Sequence, residues 1–121
     1  MADSVKIEEL IQIELTRITK IECSNAIRSM LIEPRCELRD WDYSIEATAY
    51  PCWIILDHQQ SNTCIAYCEQ GFGPACPWGL MCISGPWLSM GPDYQWYSRL
   101  EDAFRQSQAW EGTNPDEYEI Q

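Results

Sequence analysis

Apolar residues in the first part of the chain recur at helical intervals. Between residues 7 and 18 they lie three or four positions apart and form one stripe, which only Glu14 interrupts. Asp3 or Ser4 can cap the first turn by accepting a backbone amide hydrogen bond. The pattern predicts an amphipathic helix over residues 4–21.

A second, shorter apolar segment follows this helix. Ser24 or Asn25 can cap it, and Pro34 is expected to end it, because proline lacks the amide that a helix interior requires. A strand over residues 26–32 is the alternative. We predict residues 1–34 to be mainly helical.

From residue 35 onward the apolar period shortens to two, which is typical of strands. In the clearest segment, residues 50–56, the alternation places Cys52, Ile54 and Leu56 on one face of a sheet. Polar turns separate this segment from its neighbours, so adjacent strands are expected to pair antiparallel. The predicted strands start near Cys36 and cover residues 50–56, 64–68, 78–84 and, as a short addition, 87–90.

A third helix is predicted after the strands. Ser98 with Glu101 or Asp102 has the spacing of a capping box, and Gly112 ends the apolar stripe that follows. The chain of 121 residues is therefore expected to form one α+β domain. Its predicted parts are helices over residues 1–34, an antiparallel meander of about four strands over 35–97, a helix over 98–111 that packs on the sheet, and an acidic tail over 112–121.

The net charge of −11 is unevenly distributed along the chain. Residues 1–39 have a net charge of −1 and residues 40–121 a net charge of −10, and no Lys or Arg occurs between residues 40 and 98. Such a surface repels nucleic acid and anionic membranes, whereas it attracts basic proteins. We expect a protein partner, and neither nucleic acid nor membrane.

The chain contains seven cysteines, an odd number, and its N terminus lacks the pattern of an export signal. We therefore expect a cytoplasmic protein whose thiols are free and buried as small apolar groups. We expect no cofactor.

Structural zinc is one alternative. Cys64 and Cys68 are four residues apart, but Cys76 and Cys82 are six apart, and zinc sites usually pair cysteines at shorter intervals. Buried thiols in a sheet explain the same residues, so we expect no metal site.

A small cysteine–histidine enzyme is the other alternative. His58 is the sole histidine, and it could activate Cys52 or Cys64 as a nucleophile. A lone histidine in a polar turn is more often solvated. We therefore expect no catalytic residue.

Aromatic residues beside acids are the strongest functional signal. Tryptophan and tyrosine are enriched at the centres of protein interfaces, where an adjacent carboxylate can set the orientation of a basic partner. A domain of this size has difficulty burying all six tryptophans, so we expect some of them to reach the surface. The predicted partner-binding residues are Asp40, Trp41, Asp42, Tyr43, Phe72, Trp78, Trp87, Asp93, Tyr94, Trp96, Trp110 and Glu111.

Residues 53–109 include the sequences SNT, AYCEQGFGP, PWGL and LEDAFRQSQA. Together with the small size and the acidic, aromatic loops, this segment resembles bacterial immunity proteins, the cytoplasmic antidotes encoded with contact-dependent, Rhs-type or type VI secreted toxins. The resemblance implies binding to a cognate toxin domain, either a nuclease or an ADP-ribosyltransferase that uses NAD. It further implies that the basic active-site cleft of the toxin is occluded.

Overall fold

The computed structural model describes residues 3–86, 88–114 and 118–120. Within them, three α-helices and one five-stranded antiparallel sheet form the predicted α+β fold, with one strand more than the expected four. None of the described helices has the length and apolar character needed to cross a bilayer. In chain order the elements are α1 (Ser4–Thr16), α2 (Ile21–Met30), β1 (Leu31–Asp40), β2 (Ala49–His58), β3 (Thr63–Tyr67), β4 (Trp78–Cys82), β5 (Trp96–Tyr97) and α3 (Leu100–Gln106).

The sheet is a simple meander in which each strand pairs antiparallel with the next along the chain. The three helices pack on one face, which we call the helix face, and long loops cover the opposite loop face. Each face has its own apolar core. The helix-face core includes Ile7, Ile11, Ile27, Ile55, Ile65, Trp78, Leu100 and Phe104. The loop-face core includes Cys52, Ile54, Cys64, Ala66, Met81, Met90 and Trp96.

A bulge in β2 changes which residues share a face. Ile54 pairs with Ala66, but Leu56 pairs with Ile65, so Ile55 is an extra residue between two consecutive pairs. Leu56 consequently joins Ile55 in the helix-face core. The prediction that Leu56 lies on the same face as Cys52 and Ile54 was therefore wrong, because strict alternation holds only in a regular strand.

The first helix begins where predicted and ends earlier. The Asp3 carboxylate accepts a 3.0 Å hydrogen bond from the Lys6 amide and caps α1. The helix stops at Thr16, whose hydroxyl donates to the Ile13 carbonyl, instead of continuing to residue 21. The extra residues form a short connection to α2.

The second helix differs from the prediction at both ends. It starts at Ile21, so Ser24 lies inside it and donates its hydroxyl to the Ile21 carbonyl. It ends at Met30, and Pro34 lies within β1, where the pairing register with β2 shifts. An edge strand tolerates proline because one side of its backbone has no strand to pair with.

The short strand expected at residues 87–90 is replaced by a single contact. Ser89 forms an isolated parallel bridge with Asp40, and the Met90 amide donates a 2.8 Å hydrogen bond to the Asp40 carbonyl. Trp87 lies outside the described residues. The fifth strand is instead β5, which pairs with β4 through Trp96.

The start of α3 is capped by another helix and not by the predicted capping box. Its N-cap position is Arg99, whose side chain makes no capping hydrogen bond. The Leu100 amide donates a 2.9 Å hydrogen bond to the Glu14 carboxylate of α1. Glu14, the polar residue that interrupts the apolar stripe of α1, thus accepts a hydrogen bond from the first residue of α3.

Part of the acidic tail lies against α3. The Tyr118 hydroxyl donates to the Asp102 carboxylate, and the Arg99 guanidinium donates to the Glu119 carbonyl at 3.1 Å. The guanidinium of Arg105 lies 4.6 Å from the centre of the Tyr118 ring. Tyr118 and Glu119 thus hold the described part of the tail against α3.

A candidate protein-binding surface

Two loops meet on the loop face of the sheet. One comprises residues 40–48, between β1 and β2, and the other comprises residues 88–95, before β5. The Asp93 amide donates a 3.2 Å hydrogen bond to the Tyr43 hydroxyl, and the Met90 amide bonds to the Asp40 carbonyl. We call these two loops the acidic rim.

A cluster of aromatic rings supports the rim from below. Trp41 is central, with its ring centroid 5.9 Å from that of Tyr43 and 6.0 Å from those of Tyr50 and Phe72. Phe72 also contacts Tyr43 edge-on at 5.4 Å and Trp96 at 5.7 Å. Such tilted and edge-on contacts are the favourable arrangements for aromatic rings, so the rim rests on a packed base.

Gly71 allows the loop that holds Phe72 to approach this cluster closely. It adopts a positive φ of 76°, which disfavours residues with a side chain. A Cβ atom there would lie 2.8 Å from Met90 Cε and 3.2 Å from Trp41 Cδ1. A glycine is therefore required by both backbone conformation and space.

Large apolar side chains project from the rim into solvent. Tyr94 is 73% exposed, Tyr43 is 53% exposed, and Ile45 is fully exposed. Leu88 is also exposed on the same pair of loops. Large exposed apolar side chains bordered by polar residues are characteristic of interaction sites.

The exposed charges of the rim are all negative. Asp40, Asp42, Glu46 and Asp93 are exposed, and no ion pair engages any of them in the described part of the chain. A cleft of about 290 Å³ lies within the 40–48 loop and is lined by three of these acids. The rim therefore combines unneutralised carboxylates with exposed apolar side chains.

Comparison with known proteins does not assign a function to this surface. No protein-family model, curated protein or solved structure matches the chain. Its function must be argued from the surface itself.

Seven of the predicted partner-binding residues meet at this one place. They come from three segments that are distant in sequence, and the aromatic cluster and the hydrogen bonds of the rim join them. Some are exposed at the rim and others form its base. They are Asp40, Trp41, Asp42, Tyr43, Phe72, Asp93 and Tyr94.

Two predicted residues are core residues instead. Trp78 is 2% exposed and packs edge-on against Tyr67 on the helix face. Trp96 is 4% exposed, and its indole nitrogen donates a 2.7 Å hydrogen bond to the Met90 carbonyl beneath the rim. Both are corrections to the predicted set, because a buried ring has no surface to offer a partner.

Trp110 and Glu111 do not join the rim. Trp110 is half-buried against Phe104, on the helix face, where its indole nitrogen donates to Asn114. Glu111 is exposed and follows it in sequence. Trp87, the remaining predicted residue, lies outside the described residues.

Sequence reasoning missed Ile45 and Leu88. It selected aromatic residues next to acids, and both of these are aliphatic. One feature of the sequence could have identified Ile45, since it is the single large aliphatic residue in the stretch YSIEAT. An isolated aliphatic residue in a polar loop has no neighbours with which to form a buried face.

The residues of the alternative cysteine–histidine chemistry have other contacts. His58 Nδ1 lies 2.7 Å from the Ser61 hydroxyl, and Asp57 accepts a 2.9 Å hydrogen bond from Arg35. Burial raises the pKa of the Cys64 thiol to about 12, so it is protonated at neutral pH. Among the described residues, no three His, Cys, Asp or Glu side chains converge to hold a metal ion.

Proposed function

We propose that this chain is an immunity protein that binds a cognate toxin domain through the acidic rim. The observation that carries the proposal is the pairing of exposed apolar residues, such as Tyr43 and Tyr94, with unneutralised acids such as Asp42 and Asp93. This combination suits a partner that is basic and presents a cleft. The acids attract it, and the apolar groups provide desolvated contact.

The distribution of charge supports a basic partner. Residues 40–98 contain no Lys or Arg, so no positive group within this segment opposes the field of the rim. Complementary charge steers a partner toward the binding surface and accelerates association, and salt weakens the effect. The whole-chain charge of −11 acts in the same direction.

A toxin that cleaves nucleic acid or uses NAD must itself bind an anion. Its active-site cleft is therefore basic, and an acidic surface can compete for the same groups. Asp42 and Asp93 would engage the basic residues of the cleft, while Tyr43 or Tyr94 would occupy the pocket for a base or nicotinamide. Inhibition then follows from occlusion, and the immunity protein needs no catalytic group.

The support beneath the rim favours tight binding. Hydrogen bonds from Asp93 to Tyr43 and from Met90 to Asp40 join the two loops, and the rings of Trp41 and Phe72 pack below them. A surface that is ordered before association loses less conformational entropy when it binds. The rim is therefore built to act as a preformed interface.

The test is co-expression with the protein encoded beside this chain, followed by purification of the complex and an assay of protection. We expect Tyr43→Ala, Tyr94→Ala and Asp42→Asn each to weaken binding about tenfold or more, equivalent to roughly 1.4 kcal/mol. Ile21→Ala, at a 64%-exposed residue of α2, is the matched control and should bind normally.

Salt provides a second readout. Raising the ionic strength should slow association with the wild-type rim more than with the Asp42→Asn variant, because one attractive charge is gone. The proposal fails if the neighbouring protein forms no complex and its toxicity is not relieved. It also fails if Ile21→Ala weakens the complex as much as the rim substitutions do.

A further inference from the structure

The outer edge of β1 is the longest exposed strand edge of the sheet. This strand has ten residues and pairs only with β2 among the described residues. The contact of Asp40 with Ser89 and Met90 covers one end of its outer edge. In the described part of the chain, no strand pairs with residues 34–38 on that side, and such an edge can pair with another chain.

The hydrogen bonds at the end of β1 identify which backbone groups point outward. The Asp40 carbonyl accepts from Met90 on the outer side, and the next residue, Trp41, donates its amide to the Thr48 carbonyl on the inner side. Because these directions alternate along the regular part of the strand, from Arg35 to Asp40, Leu38 and Cys36 also point their backbone groups outward. Pro34 precedes this regular part, is buried, and has no amide hydrogen to offer a strand on either side.

The side chains along this edge alternate in charge on one face. Arg35 pairs across the sheet with Ile54, and Glu37 pairs with Cys52, so both lie on the loop face. Their side chains are 39% and 35% exposed. Positive and negative charge therefore alternate along the loop-face side of the free edge.

On the helix face the same edge has an exposed leucine and a groove. Leu38 is 72% exposed, and Cys36 beside it is exposed as well. A groove of about 470 Å³ runs between α1 and the start of β1. Its lining includes the apolar residues Val5, Ile11 and Pro34 and the acids Glu8, Glu9 and Glu33. The leucine and the groove lie at opposite ends of the free edge.

We propose that a second copy of this chain pairs antiparallel with β1, about a two-fold axis through Cys36. In this register Arg35 of each copy lies opposite Glu37 of the other on the loop face. On the helix face, Leu38 of each copy lies opposite Pro34 of the other and enters the groove beside α1. One operation thus adds an opposite charge from the other copy to Arg35 and Glu37, which are already ion-paired within the chain, and gives each exposed leucine a site beside Pro34.

The backbone can complete this pairing. The two Cys36 residues exchange amide-to-carbonyl hydrogen bonds, and the outward amide of each Leu38 faces Pro34 of the other copy. The interface is isologous, which means that both copies use the same edge. Assembly therefore stops at the dimer, because neither β1 edge remains unpaired.

Charge fixes the register. If the two-fold axis lay at Arg35 or at Glu37, that residue would face its own copy, and like charges would lie directly opposite each other. Like charges at directly opposite positions destabilise strand pairing. An axis at Cys36 places opposite charges face to face and remains clear of Ser89, which covers the Asp40 end.

The first measurement is the mass in solution by light scattering after size-exclusion chromatography. We expect two chains of 14.1 kDa per particle. Leu38→Glu should give a monomer with an unchanged circular dichroism spectrum, because it places a negative charge beside Glu8, Glu9 and Glu33 of the groove. Ile21→Glu, at a comparably exposed residue of α2, should remain a dimer.

The second measurement does not depend on the Leu38 variant folding. Diamide takes one hydrogen from each of two thiols and joins the sulfurs in a disulfide, and paired strands hold opposite Cα atoms about 5.5 Å apart, which a disulfide can span. We expect a covalent dimer from the wild type and from Cys82→Ser, which lacks the other exposed cysteine, but not from Cys36→Ser. A monomer at every soluble concentration, or a dimer that is cross-linked without Cys36, would overturn the proposal.

Discussion

The Glu14 carboxylate of α1 accepts a 2.9 Å hydrogen bond from the backbone amide of Leu100, 86 residues later in the chain. The same carboxylate accepts a 3.1 Å bond from Arg17. The first amides of a helix have no partner within the helix, so each needs one from elsewhere. Here a side chain of the first helix supplies the partner for the last.

Removing this side chain should destabilise the domain. We expect Glu14→Ala to lower the free energy of unfolding by about 1–2 kcal/mol, because the buried Leu100 amide loses its acceptor. Glu14→Gln keeps an acceptor oxygen and should cost less. Urea denaturation measures both, with Glu8→Ala on the exposed side of α1 as the control. Equal effects of Glu8→Ala and Glu14→Ala would contradict this role.

Gly79 and Trp96 should be coupled by steric contact. The indole of Trp96 lies so close over Gly79 that a Cβ atom there would be 2.3 Å from Trp96 Cδ2. We expect Gly79→Ala to cost about 1–3 kcal/mol through overpacking. In a Trp96→Phe background, with a smaller ring, the same substitution should cost less, and a double-mutant cycle measures the difference. If the effects of Gly79→Ala and Trp96→Phe on the unfolding free energy are additive, the Trp96 ring is not the reason that position 79 requires glycine.

Stability should fall in acid partly through Glu37. Burial alone would raise its pKa, but hydrogen bonds from Arg35 and Arg39 outweigh burial and lower the pKa below its ordinary value of 4.5. The ionised carboxylate therefore stabilises the fold above that value, and the contribution disappears as the pH falls through the lower pKa of the folded state.

The comparison that isolates this carboxylate is wild type against Glu37→Gln in urea titrations between pH 7 and pH 3. The variant should be less stable at neutral pH, because the buried Arg39 guanidinium loses a charged acceptor. The difference in unfolding free energy should narrow as the pH falls, since wild-type Glu37 becomes neutral. If the difference in unfolding free energy stays constant from pH 7 to pH 3, the pKa of Glu37 is not lowered in the folded protein.

The cysteines should divide into reactive and unreactive groups. Burial raises the pKa of Cys23 to about 11 and that of Cys64 to about 12, whereas Cys36 and Cys82 are exposed. Iodoacetamide reacts with thiolates, so native protein near pH 8 should be labelled at Cys82, which lies outside the proposed dimer interface, and not at Cys23 or Cys64. Mass spectrometry of peptides after labelling, with urea-unfolded protein as the positive control, tests this. Labelling of Cys64 at the rate of Cys82 would contradict its burial.

Raised thiol pKa values also predict a loss of stability in alkali. The unfolded chain ionises its thiols near the ordinary value of 9.0, while folded Cys23 stays protonated until about pH 11. The contribution of Cys23 to the free energy of unfolding should therefore be fully present below pH 9 and should decline as the pH rises from about 9 to about 11. Cys23→Ala should show a shallower decline over this interval in urea titrations, and equal slopes would contradict the shift.

Local patterns in the sequence were sufficient where structure is regular. The stripe from Ile7 onward and the Asp3 cap predicted the position of α1, and alternation around Ile54 predicted β2. These features depend on neighbours within a few residues, which a single sequence displays directly. The α+β class followed from the order of such segments.

Features set by distant contacts could not be predicted in this way. The bulge at Ile55 depends on the register with β3, and the role of Glu14 depends on where α3 begins. Trp78 and Tyr94 both appear as aromatic residues in short segments, yet one is core and the other is exposed. The sequence identified seven of the residues that meet at the rim and its base but missed Ile45 and Leu88, because only the packing of three loops determines which side chains reach solvent.

The capping of α3 by α1 has a consequence for synthesis of the chain. A ribosome releases the N terminus first, so the apolar face of α1 emerges well before Leu100 and Phe104, which complete the core around it. The meander of β1 to β4 can pair strand by strand as each appears. The first helix to be synthesised is therefore the last to be fully buried. Nascent chains that end before α3 leave the apolar face of α1 exposed, and such a surface is prone to aggregation.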